Sequence, residues 1–221
     1  MGHVAKERQT KGVDYVSSTY SRSRDARVLD SVEQFRYMKT DQVAALHFTS
    51  IKDSDQRQKK ASIRLKRLFD RGFLTRMRVP GESFIYAERG RSYTAKTSHY
   101  LALVDVWLAL LKSKPNGANL YCEIEKKTDN VVTDMVIEYT NQFTKEVREY
   151  YIEVELDSSA DVREKISKYE WLLLHRRSEG KKCVLVVIYK NERTKRQIDG
   201  LEVKKDLRVY SLQGLEKEWS W

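Results

Sequence analysis

The sequence predicts an α+β protein in which an N-terminal winged helix-turn-helix is joined by a helix to a C-terminal α/β domain. Three observations predict it. Between Gln56 and Arg71, the residues Arg57, Lys60, Arg64, Arg67 and Arg71 recur at three- and four-residue spacing beside an apolar stripe of Ala61, Leu65, Leu68 and Phe69. Two short strand patterns, Phe73–Arg78 and Ser83–Glu88, follow around Pro80-Gly81, a turn pair. Beyond Gly117 the pattern changes to strand runs separated by one crossover helix.

Taken in order, residues 1–24 form a basic polar arm, with a Ser/Thr/Tyr-rich run at Val16–Ser23. Such an arm either follows a nucleic-acid groove or frays. Asp25–Phe35 reads as a first helix with Ala26, Leu29, Val32 and Phe35 inward. Thr40 is an N-cap candidate for a second helix through Phe48, packed by Val43, Ala44 and Leu46. Thr49–Asp55 is the turn, the third helix runs from Gln56, and Gly72 stops it. These pieces make residues 25–91 a winged helix-turn-helix, a module whose usual work is to bind duplex DNA.

Residues 92–114 are the connecting helix, Ser92–Ser113, with Tyr100, Val104, Trp107, Leu108 and Leu111 on one face, ended by Pro115-Asn116-Gly117. Residues 115–221 are the α/β domain. Leu120–Glu125, Val131–Tyr139 and Glu149–Leu156 read as strands, the last two joined by the polar Thr140–Lys145 loop. Asp161–Arg176 is a helix with Val162, Ile166, Tyr169 and Leu173 on one face. Cys183–Tyr189 is a continuous apolar run of central-strand type. Glu192–Val203 has helical character, and Leu207–Tyr210 is a short last strand.

Charge divides along the chain. Residues 1–96 carry 21 Lys and Arg against 11 Asp and Glu, whereas residues 97–221 carry 21 of each, so the whole net charge of +10 sits in the first part. A charge spread only for solubility does not divide this way; an electrostatic footprint for a polyanion does. Cys122 and Cys183 are too few and too far apart for a disulfide framework or a zinc site. A reduced cytoplasm is the simplest setting. No apolar run approaches the roughly 20 residues that cross a bilayer, and the N-terminus lacks a signal-peptide apolar region. Leu101–Leu111 is apolar but short and interrupted by Asp105, as in a buried helix.

For duplex DNA the candidate contacts are Arg57, Lys59, Lys60, Arg64 and Arg67 on the third helix and Arg76 and Arg78 on the wing. The bland alternative for all of them is a solvated basic face. Ile63 either touches a thymine methyl or packs against a neighbour.

A second constellation is acidic. Asp134 lies in one strand, and Glu153 and Glu155, two apart on the next, project from one face. Three such carboxylates could hold a hard cation, Mg²⁺ or Mn²⁺, and so activate water for phosphodiester cleavage. Lys165 on the crossover helix is placed to reach back over them. The same alternation also marks a solvated strand face, and Glu123 and Glu125 show it one strand earlier. His47 and His99 have no Cys or His partner at metal spacing and read as structural. Trp219 and Trp221 suggest docking, either on the chain itself or in a homodimer.

These residues together resemble a family. "MKTDQVAALHF", "ASIRLKRLFDRGFLTRMRVPGESFIYAERG", the His-led "SHYLALVDVWLAL", "TDMVIEY", "YYIEVELDSSADVREKISKYEWLLL" and "KKCVLVVIY" are similar to the replication-relaxation family of plasmids, phages and integrative elements, over roughly residues 28–212. The resemblance implies that the second domain has a PD-(D/E)XK, restriction endonuclease-like fold. Asp134 would be its metal-binding Asp, preceded by Thr133 where the pattern has Pro, and Glu153 its second acid. Glu155 stands where the pattern has Lys, and Lys165 would substitute from the helix. The implied function is duplex DNA binding in replication, mobilisation or transcriptional regulation of a mobile element, with replication or conjugation proteins as partners. The competing class is a metal-dependent DNA endonuclease using Asp134, Glu153, Glu155 and Lys165, and a third is an interaction scaffold.

Overall fold

A computed structural model describes residues 13–14, 23–79, 83–156, 162–199, 206–219 and 221. Val13–Asp14 form a short edge strand, β1, so this part of the expected arm joins a sheet; the rest of the arm before Ser23 lies outside the described residues. Ser23 caps α1 (Arg24–Phe35) by accepting from the Ala26 amide at 3.3 Å. Its buried stripe is Val28, Val32 and Phe35; Ala26 and Leu29 lie at the margin.

A three-residue strand, β2 (Tyr37–Lys39), follows where none was expected. The N-cap of α2 (Thr40–His47) is then Lys39, one residue before the expected Thr40. The Gln42 side chain closes the cap by accepting from the Lys39 amide at 2.9 Å. α3 (Ser54–Asp70) begins two residues earlier than its periodicity suggested, because the Asp53 carboxylate accepts from the Gln56 amide at 2.7 Å. Gly72, at φ 72°, ends it: the Phe73 amide donates to Leu68 O and the Gly72 amide to Phe69 O. β3 (Leu74–Met77) and β4 (Ile85–Glu88) pair antiparallel, and β2 adds to β4, giving the strand order β2-β4-β3. The Pro80-Gly81 turn lies outside the described residues.

α4 (Thr97–Lys112) is shorter than the expected 92–113 span. Thr97 is fully buried, and its hydroxyl accepts from the Thr94 amide at 3.0 Å, so the preceding residues turn instead of continuing the helix. The apparent interruption at Asp105 is explained by the Gln42 amide, which donates to its carboxylate at 2.7 Å and to Leu101 O at 2.9 Å.

The larger sheet contains β5 (Ala118–Thr128), β6 (Val131–Asn141), β7 (Val147–Glu155), β8 (Lys182–Tyr189) and β9 (Leu207–Ser211), in the order β1-β5-β6-β7-β8-β9. β1, β5, β6 and β7 pair antiparallel, and β7, β8 and β9 are parallel. α5 (Val162–Ser178) is the crossover from β7 to β8, α6 (Glu192–Asp199) links β8 to β9, and α7 (Leu215–Glu218) follows β9. The part of the expected helix beyond Asp199 and before Asp206 lies outside the described residues.

Both sheet faces are covered. Met135, Ile137, Tyr150, Ile152, Val154, Val186 and Ile188 pack in one cluster with residues of α1, α4 and α7. Val136, Tyr151, Leu185 and Val187 pack in another with Val162, Tyr169, Leu172 and Leu173 of α5. The terminal tryptophans are spent inside the chain: Trp219 lies against Tyr150 and Tyr210, and Trp221 stacks on Tyr139 and donates to Ser113 O at 2.8 Å. Both therefore dock on the chain itself, the first of the two expected alternatives. Cys122 and Cys183 are free and buried, and among the described residues no helix is long and apolar enough to cross a membrane.

Candidate functional site

The expected basic face of α3 divides into two groups. Arg57 is turned back on the preceding loop, donating to Ile51 O at 3.0 Å and to Lys52 O at 3.2 Å. Arg64 pairs with Asp25 of α1 at 2.9 Å. Both help hold α3 in place. Lys59, Lys60 and Arg67 are exposed and make no ion pair among the described residues. Beside Lys59 lies an open groove of about 570 Å³ between α3 and the β3–β4 hairpin. Asp55, Gln58, Lys59 and Ser62 line it from the helix, and Arg78, Ser83 and Phe84 from the hairpin. Arg76 does not face outward as a free cation. Its guanidinium lies between the rings of Phe69 and Phe84, 4.6 and 4.5 Å from their centroids. Arg78, exposed, is the hairpin's outward cation.

The acid constellation forms where the β6–β7 ladder stops. The last pairing at that end is Met135 with Ile152, and Asp134 and Glu153 are the next residues on each strand. Side chains replace the missing ladder bonds: the Val154 amide donates to Asp134 Oδ2 at 2.9 Å, and the Asp134 amide to Glu153 Oε1 at 3.3 Å. Glu153 and Glu155 are 3% and 4% exposed, so the solvated-face alternative is wrong. α5 covers them, and it also supplies their partners. Lys165 Nζ donates to Glu153 Oε2 at 2.9 Å and to Glu155 Oε1 at 2.5 Å. The Tyr169 hydroxyl donates to Glu153 Oε1 in a short bond and lies 2.9 Å from the Thr133 hydroxyl. His99, in the first turn of α4, completes the cluster with Nε2 3.1 Å from Asp134 Oδ1.

Burial and pairing set the proton affinities. Burial, then the charge of Asp134, pushes Glu153 up to about 7, against the pull of Lys165 and Tyr169. Burial would also raise Asp134, but the hydrogen bond and charge of His99 outweigh it and hold this carboxyl below its usual range. His99 is raised in return: its burial is overcome by Asp134. Lys165 is raised too, since the charge of Glu153 and the bonds to both glutamates overcome its burial.

The donor set is thus arranged for protein cations. A hard divalent ion requires several oxygens turned towards one point at about 2.0–2.6 Å. Here Asp134 Oδ1 and Oδ2, Glu153 Oε1 and Oε2, and Glu155 Oε1 all face donors of the chain itself. Among the described residues no group of three His, Cys, Asp or Glu side chains is disposed to hold a metal. The residues in this arrangement do not fit Mg²⁺ or Mn²⁺.

The structure brings Asp134, Glu153, Glu155 and Lys165 together, and adds His99 and Tyr169, which sequence reasoning does not place there. The sequence offers His99 no Cys or His partner; its partner is a carboxylate on a strand distant in sequence. Tyr169 has the spacing of a core residue, which it also is. Next to His99, Tyr100 donates to Glu125 Oε1 at 2.5 Å and accepts from Arg36 at 2.6 Å, while Arg36 also pairs with Glu125. No family model, no curated protein and no solved structure matches the chain.

Proposed function

We propose that the chain is a duplex DNA-binding protein and that residues 25–91 are a winged helix-turn-helix. In this reading α3 is the recognition helix and the β3–β4 hairpin the wing. The observation that carries it is the exposed cationic edge of α3, at Lys59, Lys60 and Arg67, beside a groove that also receives Arg78 from the hairpin. An α-helix fits the major groove, and the net +10 confined to residues 1–96 supplies the long-range attraction to phosphate. Gln58 and Lys59, both lining the groove, are of the types that read adenine and guanine edges. Lys60, Arg67 and Arg78 are placed for backbone contacts. On the family resemblance, the setting is replication, mobilisation or transcriptional regulation of a plasmid, phage or integrative element.

The test is fluorescence anisotropy of the whole chain with a mixed-sequence duplex across a salt series. Lys60→Ala with Arg67→Ala should reduce the log–log salt slope by about 0.9 for each phosphate that is no longer neutralised. Binding and slope both unchanged in that double variant would remove α3 from the interface. The convergence of Asp134, Glu153 and Glu155 favours a second reading, a metal-dependent endonuclease with a restriction endonuclease-like fold. The donors already placed on those carboxylates count against it.

A further inference from the structure

We infer that Lys165 is the resident cation of the buried acid cluster, bridging Glu153 and Glu155, so that the cluster is a structural lock and not a metal centre. The geometry is that of a bridge. One ammonium reaches both carboxylates, at 2.9 and 2.5 Å, from the helix that covers them. The lysine side chain is 41% exposed, while the two glutamate side chains are 4% and 6% exposed. The cation therefore enters from the rim and closes the cluster against solvent. Two carboxylates on one buried strand face need a counter-charge, because desolvated anions repel each other and lose hydration. In a metal centre the ion supplies it; here α5 does.

The other donors point the same way. Glu153 Oε1 is taken by Tyr169 and the Asp134 amide, and Asp134 by His99 and the Val154 amide. A divalent ion would have to displace Lys165, break the Tyr169 bond and shed its own water, which Mg²⁺ does reluctantly. The lock also joins four elements: α4 through His99, β6 through Asp134, β7 through Glu153 and Glu155, and α5 through Lys165 and Tyr169. The placement of Lys165 so near the acids reads at first as catalytic. Its double salt bridge makes it a positioning residue that holds α5 on β7.

The experiment is Mn²⁺ titration of the full chain followed by electron paramagnetic resonance, with thermal melts in parallel. The wild type should bind no Mn²⁺ at about 1 mM, the weak end of protein oxygen sites, and its Tm should be insensitive to the metal. Lys165→Met should lower Tm by roughly 10 °C, as expected when a buried pair loses one partner. Mn²⁺ should bind this variant and restore part of the loss, and Lys165→Arg should behave as wild type. Should Lys165→Met not yield folded protein, Lys165→Met with Glu155→Gln must recover it by removing the uncompensated charge; failure to recover overturns the lock. Wild-type binding of Mn²⁺ that is abolished by Glu153→Gln would equally overturn it. So would a Lys165→Met variant that melts like wild type and gains no Mn²⁺.

Discussion

Single side chains decide how the cationic surface is used. Arg57, Arg64 and Arg76 carry charge but work inside the fold, as a loop cap, an ion pair to α1 and a filling between two rings. Arg76→Ala should therefore cost about 1–2 kcal/mol of stability, through lost stacking and packing. Lys59→Ala, on the open face, should stay within about 0.5 kcal/mol. Urea denaturation separates the two; an unchanged midpoint for Arg76→Ala would return that residue to the solvent. His47 gives a pH dependence. Burial, then the charges of Arg27 and Arg24, lowers it from 6.5 to about 4, and its Nε2 meets the Ser31 hydroxyl at 3.0 Å. Between these values the unfolded chain binds a proton that the folded chain does not. Stability therefore falls as pH drops from about 6.5 to about 4, by up to about 3 kcal/mol. Glu153, raised from 4.5 to about 7, acts in the opposite sense: its contribution is present at low pH and is lost as pH rises between those two values. His47→Gln should flatten the acid loss and leave the Glu153 contribution. A variant whose stability still falls as steeply towards pH 4 would show that His47 is not its source.

At the level of elements, what was legible had enough length to show a period. α3, α5 and β8 were readable because 17, 17 and 8 residues let a stripe or an apolar run repeat. β2 was not, because three residues carry no period and its pairing with β4 is supplied from elsewhere in the chain. The buried acids were misleading for a related reason. Alternation on β7 shows that two faces differ, but not that α5 covers the polar one. The acid cluster was half legible: Asp134, Glu153, Glu155 and Lys165 came from spacing and resemblance, whereas His99 and Tyr169 belong to it only by contact. α5 sits on that face through polar pins as well as apolar ones, with Lys165 near its start, Tyr169 at its middle and Arg176 near its end. Arg176 holds Glu149 with three bonds at 2.7, 2.9 and 3.1 Å, and its carbonyl accepts from the Lys181 amide just past Gly180, at φ 79°. Tyr169→Phe keeps the ring and removes the hydroxyl. It should cost about 1–3 kcal/mol, since Glu153 loses a donor in a buried place. An unchanged unfolding midpoint would mean that the hydroxyl contributes nothing to seating the helix.

Across the whole molecule, charge and core divide the chain differently. Charge separates residues 1–96 from the rest, but the core does not. One buried cluster runs from Val28 on α1, through Leu65 on α3 and Trp107 on α4, to Ile152 on β7 and Trp219 near the C-terminus. Polar contacts cross the same boundary: Gln34 of α1 donates to Cys122 O of β5 at 2.8 Å, and Arg36 reaches Glu125. α4 lies within this core, with Leu103, Val104, Val106 and Leu110 fully buried. An interface so apolar transmits loss of packing from one side to the other, unlike a flexible linker between independent domains. The expected consequence is one cooperative unfolding transition. Far-UV circular dichroism, which weighs all helices, and tryptophan fluorescence, which reports the buried Trp107 and Trp219, should give coincident urea midpoints. Leu65→Ala, in α3 and remote in sequence from every tryptophan, should lower both midpoints together, at a cost of about 2–5 kcal/mol. If fluorescence kept its wild-type midpoint while the circular dichroism signal split into two steps, residues 25–91 would be folding on their own, and the continuous core would not couple the two halves.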